Sequence, residues 1–233
     1  MPEVIAICHP EGGSPGVFEE AARESGASIR EWHPAQEPEP PIDPEEASGV
    51  LVLGGDQNVD EQHLYPYLTR EIEFLKEWTA AGRPVFGVCL GAQLLAEATG
   101  GAVARAPERE FGWLGVEVLP AGMDDPVTGF GDRRLTALQW HDYAIDPPPG
   151  ATVLASSDVC LQAFRLGEAW GVQFHPEVTG AILDEWLEPL LAGEQGPGRE
   201  QEAREVLAGV PAHLADWNAY GRGLFSRFLE RCR

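Results

Sequence analysis

The segment Pro84-Val85-Phe86-Gly87-Val88-Cys89-Leu90-Gly91-Ala92-Gln93 decides the fold. A short β-branched and aromatic run ends in Gly-x-Cys-x-Gly, and a helix-forming run through Leu94, Leu95, Ala96 and Glu97 follows at once. Strand, tight turn and helix with a nucleophile on the turn is the form of a nucleophile elbow. Such a turn strains the backbone, and only small neighbours let strand and helix pack closely around it. The competing reading is a buried, inert thiol at a strand end, since free cysteine is often buried.

Working outward, Glu3–Cys8, Ser28–Trp32 and Gly49–Leu53 read as strands, and Val17–Glu24 and Tyr67–Ala81 as helices. Pro34–Pro44 is a Pro/Glu-rich surface loop. These strands are apolar runs rather than alternations, which predicts a parallel sheet covered on both faces. Beyond Gly100-Gly101, short strands are expected at Trp113–Leu119, Leu135–Trp140, Thr152–Ala155, Leu161–Arg165 and Ala169–Phe174, as an antiparallel extension of the sheet. Ala181–Leu191 reads as a helix, Gly193–Gly198 as a linker, and Glu200–Arg233 as one or two amphipathic helices. The predicted fold is a three-layer α/β sandwich, flavodoxin-like, with a mostly parallel central sheet. Its expected division is a main domain over 1–192 and a linker with a helical extension over 193–233.

At 233 residues the chain can bury a large core without disulfide or metal staples. Cys8, Cys89, Cys160 and Cys232 are scattered, with no CxxC pairing, so neither a zinc site nor a disulfide framework is expected. No metal and no cofactor is called for. The net charge of −22 disfavours nucleic acid and anionic membranes as partners. No leader or membrane-spanning run is read, which predicts a cytoplasmic protein.

A free thiol with a pKa near 8.5 is only about 3% thiolate at pH 7. Lowering that pKa to about 6.5 takes about 2.7 kcal/mol, and a helix N-terminus supplies about 0.3–1 kcal/mol. A reactive Cys89 therefore needs an imidazole. Of His9, His33, His63, His141, His175 and His213, the best placed is His175. It ends the apolar strand Gly171-Val172-Gln173-Phe174, on the rim where an elbow on a parallel neighbour would also lie. Glu177, across Pro176, can reach the far ring nitrogen and hold the tautomer. An acyl-transfer site also needs oxyanion donors. Leu90 N–H at the helix start offers one, and Gly54-Gly55 after the apolar strand Val50–Leu53 offers a second, from Gly55. An α/β-hydrolase is excluded by order, since its acid precedes its histidine.

Gly87-Val88-Cys89-Leu90-Gly91-Ala92-Gln93, with Gly54-Gly55 before it and His175-Pro176-Glu177 after it, resembles the class I (triad) glutamine amidotransferases. The likeness spans about residues 1–190, nearest to the stand-alone group similar to the glutaminase part of GMP synthase. Pro107–Trp113, Gln139-Trp140-His141 and Gln162-Ala163-Phe164 support it. The resemblance implies a Cys89–His175–Glu177 triad that hydrolyses the side-chain amide of glutamine through a γ-glutamyl thioester. It implies that Gly54, Gln93, Trp140 and His141 help hold the substrate, and that a separate synthase is a candidate acceptor of the ammonia. Two alternatives stand beside it: a γ-glutamyl hydrolase of the same fold acting on another amide, and a non-catalytic binding module. The chain departs from the family where Asp56-Gln57-Asn58 follow the glycine pair, and where His141-Asp142-Tyr143 replaces His-Gly-Asp.

Overall fold

The computed structural model describes residues 1–232 except Glu11, and only the backbone of Pro197. In chain order the elements are β1 (Glu3–Ile7), α1 (Val17–Glu24), β2 (Ser28–Trp32), β3 (Gly49–Val52), α2 (Tyr67–Ala80), β4 (Val85–Val88) and α3 (Leu90–Ala98). Then follow β5 (Ala102–Val118), α4 (Pro120–Met123), β6 (Arg134–Asp146), β7 (Thr152–Ser156), β8 (Leu161–Leu166), β9 (Ala169–Val172), α5 (Gly180–Leu191) and α6 (Pro197–Arg231). Arg233, which the sequence reading includes in the last helix, lies outside the described residues.

One mixed sheet runs β2-β1-β3-β4-β9-β8-β7-β5-β6. The first five strands are mutually parallel, and the remaining pairs are antiparallel. The apolar runs explain the parallel half. Successive side chains of a strand point to opposite faces, and both faces are apolar here. Val4, Ala6, Leu51, Phe86, Val88, Trp170 and Val172 enter one core cluster with residues of α1, α5 and α6. Ile5, Ile7, Val50, Val52, Val85 and Ala169 enter the other with residues of α2 and α3. The sheet is thus covered by helices on both faces, as predicted.

Three segments differ from the sequence expectation. The strand expected at Ala169–Phe174 is β9, which pairs antiparallel with β8 but parallel with β4, with Val88 opposite Val172. β5 begins at Ala102, well before Trp113, and β6 continues past Trp140 to Asp146, because the two form a long ribbon whose register shifts between Arg105 and Glu110. Pro107 falls in that shift, where a missing N–H costs no ladder bond. The last helix begins at 197, inside the expected linker Gly193–Gly198, and runs unbroken to 231 with Pro211 on its exposed side. Its apolar face is not a separate core: Trp217, Leu224, Phe225, Phe228 and Leu229 join the sheet cluster, and Phe225 stacks on Phe18 of α1 at 4.5 Å. No helix among the described residues is long and apolar enough to cross a membrane.

Candidate functional site

The carboxyl ends of four adjacent parallel strands converge. β1 leads to His9, β3 to Gly54-Gly55, β4 to Cys89 and β9 to His175. In open α/β sheets this rim, beside the reversal of strand order, is where ligands bind. The strand order reverses between β1 and β3, since the chain passes from β1 to β2 on one side and then crosses to β3 on the other.

Cys89 caps the N-terminus of α3 with φ 50° and ψ −110°. Among the described residues it is the only non-glycine with positive φ. Strain of this kind costs about 1–3 kcal/mol and persists only where the surroundings enforce it. Here Cys89 N–H donates to Val172 O at 2.8 Å and Cys89 O accepts from Gln93 N–H at 3.0 Å. The elbow glycines are required by contact. A Cβ on Gly91 would lie 2.1 Å from Val52 O, and one on Gly87 would lie 2.6 Å from Gly91 O.

His175 Nδ1 pairs with Glu177 Oε1 at 2.8 Å, and both residues are buried. The Cys89 sulfur acts electrostatically on the same imidazole. Burial by itself would lower the His175 pKa. The Glu177 carboxylate, then the Cys89 sulfur and their hydrogen bonds, outweigh it and bring the value up to about 10. A Cβ on Gly54 would lie 3.1 Å from His175 Cε1 and 3.6 Å from Cys89 Cβ, so the glycine strand end abuts both residues. The structure thus brings Cys89, His175, Glu177 and Gly54 together. Leu90 opens α3, and Gly55 follows in the loop.

The other predicted residues also gather near the rim. Trp140 presents its carbonyl to Cys89 Sγ at 3.7 Å, and its ring packs edge-on against Trp186 at 5.6 Å. Trp186 in turn packs edge-on against His175 at 5.0 Å. His141 lies in β6, with Nδ1 donating to Tyr143 O at 2.9 Å and Nε2 facing the Gln139 side-chain amide at 3.2 Å. Burial, with His175 nearby, pushes its pKa down to about 4, against the Tyr143 carbonyl. Gln93 is buried on α3 rather than solvated.

Several residues at the site carried no local signal in the sequence. Trp217 of α6 donates from Nε1 to His175 O at 2.7 Å, and Asn218 Nδ2 donates to Val178 O at 2.6 Å. A Cβ on Gly221 would lie 2.0 Å from Pro176 O. The β1–α1 loop closes the other side: Val17 N–H donates to Glu177 O at 2.9 Å. At Gly16, which has φ 54°, a Cβ would lie 2.0 Å from that same oxygen. The run Gly12-Gly13-Ser14-Pro15-Gly16 reads as a turn in the sequence, and its glycine content was the one available hint. A wide groove lined by Ile72, Lys76, Arg83 and Leu166 opens at the opposite rim of the sheet, away from this chemistry.

Residues 18–187 match the family Glutamine amidotransferase class-I. The glutamine amidotransferase-like protein YfeJ of Salmonella typhimurium is 30% identical over 218 residues, 91% of this chain and 89% of YfeJ. GMP synthase [glutamine-hydrolyzing] of Citrobacter koseri is 36% identical over 162 residues, 66% of this chain. The match spans only 27% of that synthase. A crystal structure of a glutamine amidotransferase from Thermotoga maritima superposes with TM-score 0.87 at 29% identity, covering 98% of each chain. One of a glutamine amido transferase from Methylobacillus flagellatus gives 0.84 at 25% identity, covering 99% of this chain and 94% of the other. The chain belongs to the class I glutamine amidotransferase family.

Proposed function

We propose that the protein hydrolyses the side-chain amide of glutamine, with Cys89 as nucleophile, His175 as acid and base, and Glu177 holding the ring. The observation that carries this is the strained Cys89 at the start of α3, facing an imidazole whose other nitrogen is fixed by a buried carboxylate at 2.8 Å.

His175, charged at neutral pH, offers the counter-charge to a thiolate at Cys89. The thiolate attacks the amide carbon, and the oxyanion forms between the N–H groups of Gly55 and Leu90. The imidazolium gives its proton to the leaving nitrogen, the C–N bond breaks, and ammonia departs from the γ-glutamyl thioester. Acylation removes the negative sulfur, one of the groups that raise the His175 pKa. The neutral ring then accepts a proton from water as the water attacks the thioester. The C–S bond breaks, glutamate leaves, and the thiolate–imidazolium pair returns. Gln93, the backbone at Trp140-His141 and Gly54 are assigned to holding the amino-acid end of the substrate. A separate synthase is the proposed acceptor of the ammonia, and the cytoplasm the proposed compartment. The segments 1–192 and 193–233 are proposed as the main domain and its extension.

The test is ammonia release from a panel of γ-glutamyl amides. Glutamine should be hydrolysed, and Cys89→Ala should abolish both release and covalent labelling by a glutamine-mimicking electrophile. His175→Ala should be nearly as damaging, and Glu177→Ala milder, because packing retains part of the ring orientation. Hydrolysis that survives Cys89→Ala removes this mechanism.

A further inference from the structure

A second buried imidazole–carboxylate pair lies on the same rim, outside the triad. His9, after β1, places Nε2 2.8 Å from Glu71 Oε2 on α2, and both side chains are fully buried. Its Nδ1 is 3.0 Å from Gly54 O. A carbonyl can only accept, so Nδ1 carries the proton in that bond. With both nitrogens engaged and no exposure, His9 cannot itself act as a base toward water or substrate.

The bond falls on the peptide that leads into the proposed oxyanion loop. In a planar trans peptide the C=O of one residue and the N–H of the next point in opposite directions, and no described peptide bond is cis. Holding Gly54 O against His9 therefore turns Gly55 N–H the other way. Two successive glycines give that peptide little resistance to rotation, so something outside the loop must select its orientation. The packing is close enough to do so. A Cβ on Gly55 would lie 2.7 Å from His9 Cβ, and one on Gly12 would lie 2.5 Å from Gly54 O.

We propose that His9, braced by Glu71, is a positioning residue that locks the Gly54–Gly55 peptide with the Gly55 N–H turned toward Cys89, so that this oxyanion donor is in place before substrate arrives. The proposal rests on the reading of the site as an amide hydrolase. It also accounts for a polar pair in the core. A buried pair adds little net stability over an apolar replacement, whereas breaking it would free the peptide. Burial disfavours a charged His9, but the Glu71 carboxylate and the bonds to both nitrogens outweigh it and raise its pKa.

The experiment compares wild type, His9→Leu and the double variant His9→Asn with Glu71→Gln. The asparagine amide can stand in for Nδ1–H without charge. In crystal structures, His9→Leu should show the Gly54–Gly55 peptide rotated or in two orientations, and the double variant should show it as in wild type. In ammonia release, His9→Leu should lose about 100-fold in kcat with KM little changed, and the double variant should stay within about threefold of wild type. Alkylation of Cys89 by iodoacetamide needs no oxyanion donor, so its rate should be the same in all three proteins. A wild-type peptide orientation in His9→Leu overturns the proposal, as does full activity in that variant. A parallel fall in alkylation overturns it too, since that marks a general collapse of the site. If His9→Leu does not fold, a double variant with a rotated peptide overturns it, and one with the wild-type orientation supports it. If wild type releases no ammonia from any γ-glutamyl amide, the hydrolase reading fails, and the peptide orientations still decide the lock.

Discussion

The indole N–H of Trp217 donates to the backbone carbonyl of His175 at 2.7 Å. The loop carrying the imidazole is thereby fastened to α6, outside the segment that carries the family pattern. Trp217→Phe keeps an aromatic side chain but orphans a buried carbonyl. It should cost about 1.5 kcal/mol in urea unfolding, and about tenfold in kcat for ammonia release through displacement of His175.

Strain at Cys89 sets up an inverted comparison. At an ordinary position Gly is less stable than Ala by about 0.5–1 kcal/mol. At φ 50°, ψ −110° the order should reverse, with Cys89→Gly more stable than Cys89→Ala by about 1 kcal/mol. Thermal unfolding of the two inactive variants reads this directly.

Gly91→Ala should be among the most damaging small substitutions in the chain. Its methyl would meet the Val52 carbonyl oxygen at 2.1 Å, and backbone cannot step aside as a side-chain tip can. The expected loss is about 3 kcal/mol in chemical denaturation. Gly115→Ala, where a Cβ meets nothing within 4 Å, should be tolerated.

Stability should fall on both sides of neutrality, for opposite reasons. Burial holds His141 down at about 4, below its ordinary 6.5. The Glu110 carboxylate, 3.5 Å away but bonded to Gln162, does not offset that. Because the folded value is depressed, the contribution of His141 is complete above pH 6.5 and lost as pH falls through about 4. Its upper limit is about 3 kcal/mol. His175 is shifted the other way, to about 10. Its contribution is complete below pH 6.5 and lost as pH rises through about 10. Urea midpoints at about pH 5, 7 and 9 should show both limbs. His141→Gln should flatten the acid limb and His175→Gln the alkaline one.

The parallel half of the fold was legible because its signal is local. Four-residue apolar runs such as Val50–Leu53 and Val85–Val88 leave little choice but a buried strand. Cys89 and His175 were legible because each follows the end of its own strand, and Glu177 because it is two residues from His175. The ribbon of β5 and β6 was under-read because Arg105, Glu108 and Asp142 are exposed, and polar residues on a sheet margin look like loop. His9 was only one of six histidines, since Glu71 is 62 residues away and Gly54 is 45. Trp217 falls on the apolar face of an amphipathic helix, but its N–H reaches a backbone 42 residues earlier, a pairing that no periodicity reveals.

The fastening of His175 to α6 also has a consequence in time. Ribosomes deliver about 5–20 residues per second, so the 42 residues from His175 to Trp217 take seconds to follow. Throughout that interval a growing chain holds its thiol, imidazole and carboxylate, yet lacks the indole that receives the His175 carbonyl. α6 can therefore seat against the His175 carbonyl only after the rest of the rim has been synthesised, and the proposed amide hydrolysis should reach its full rate only once it has.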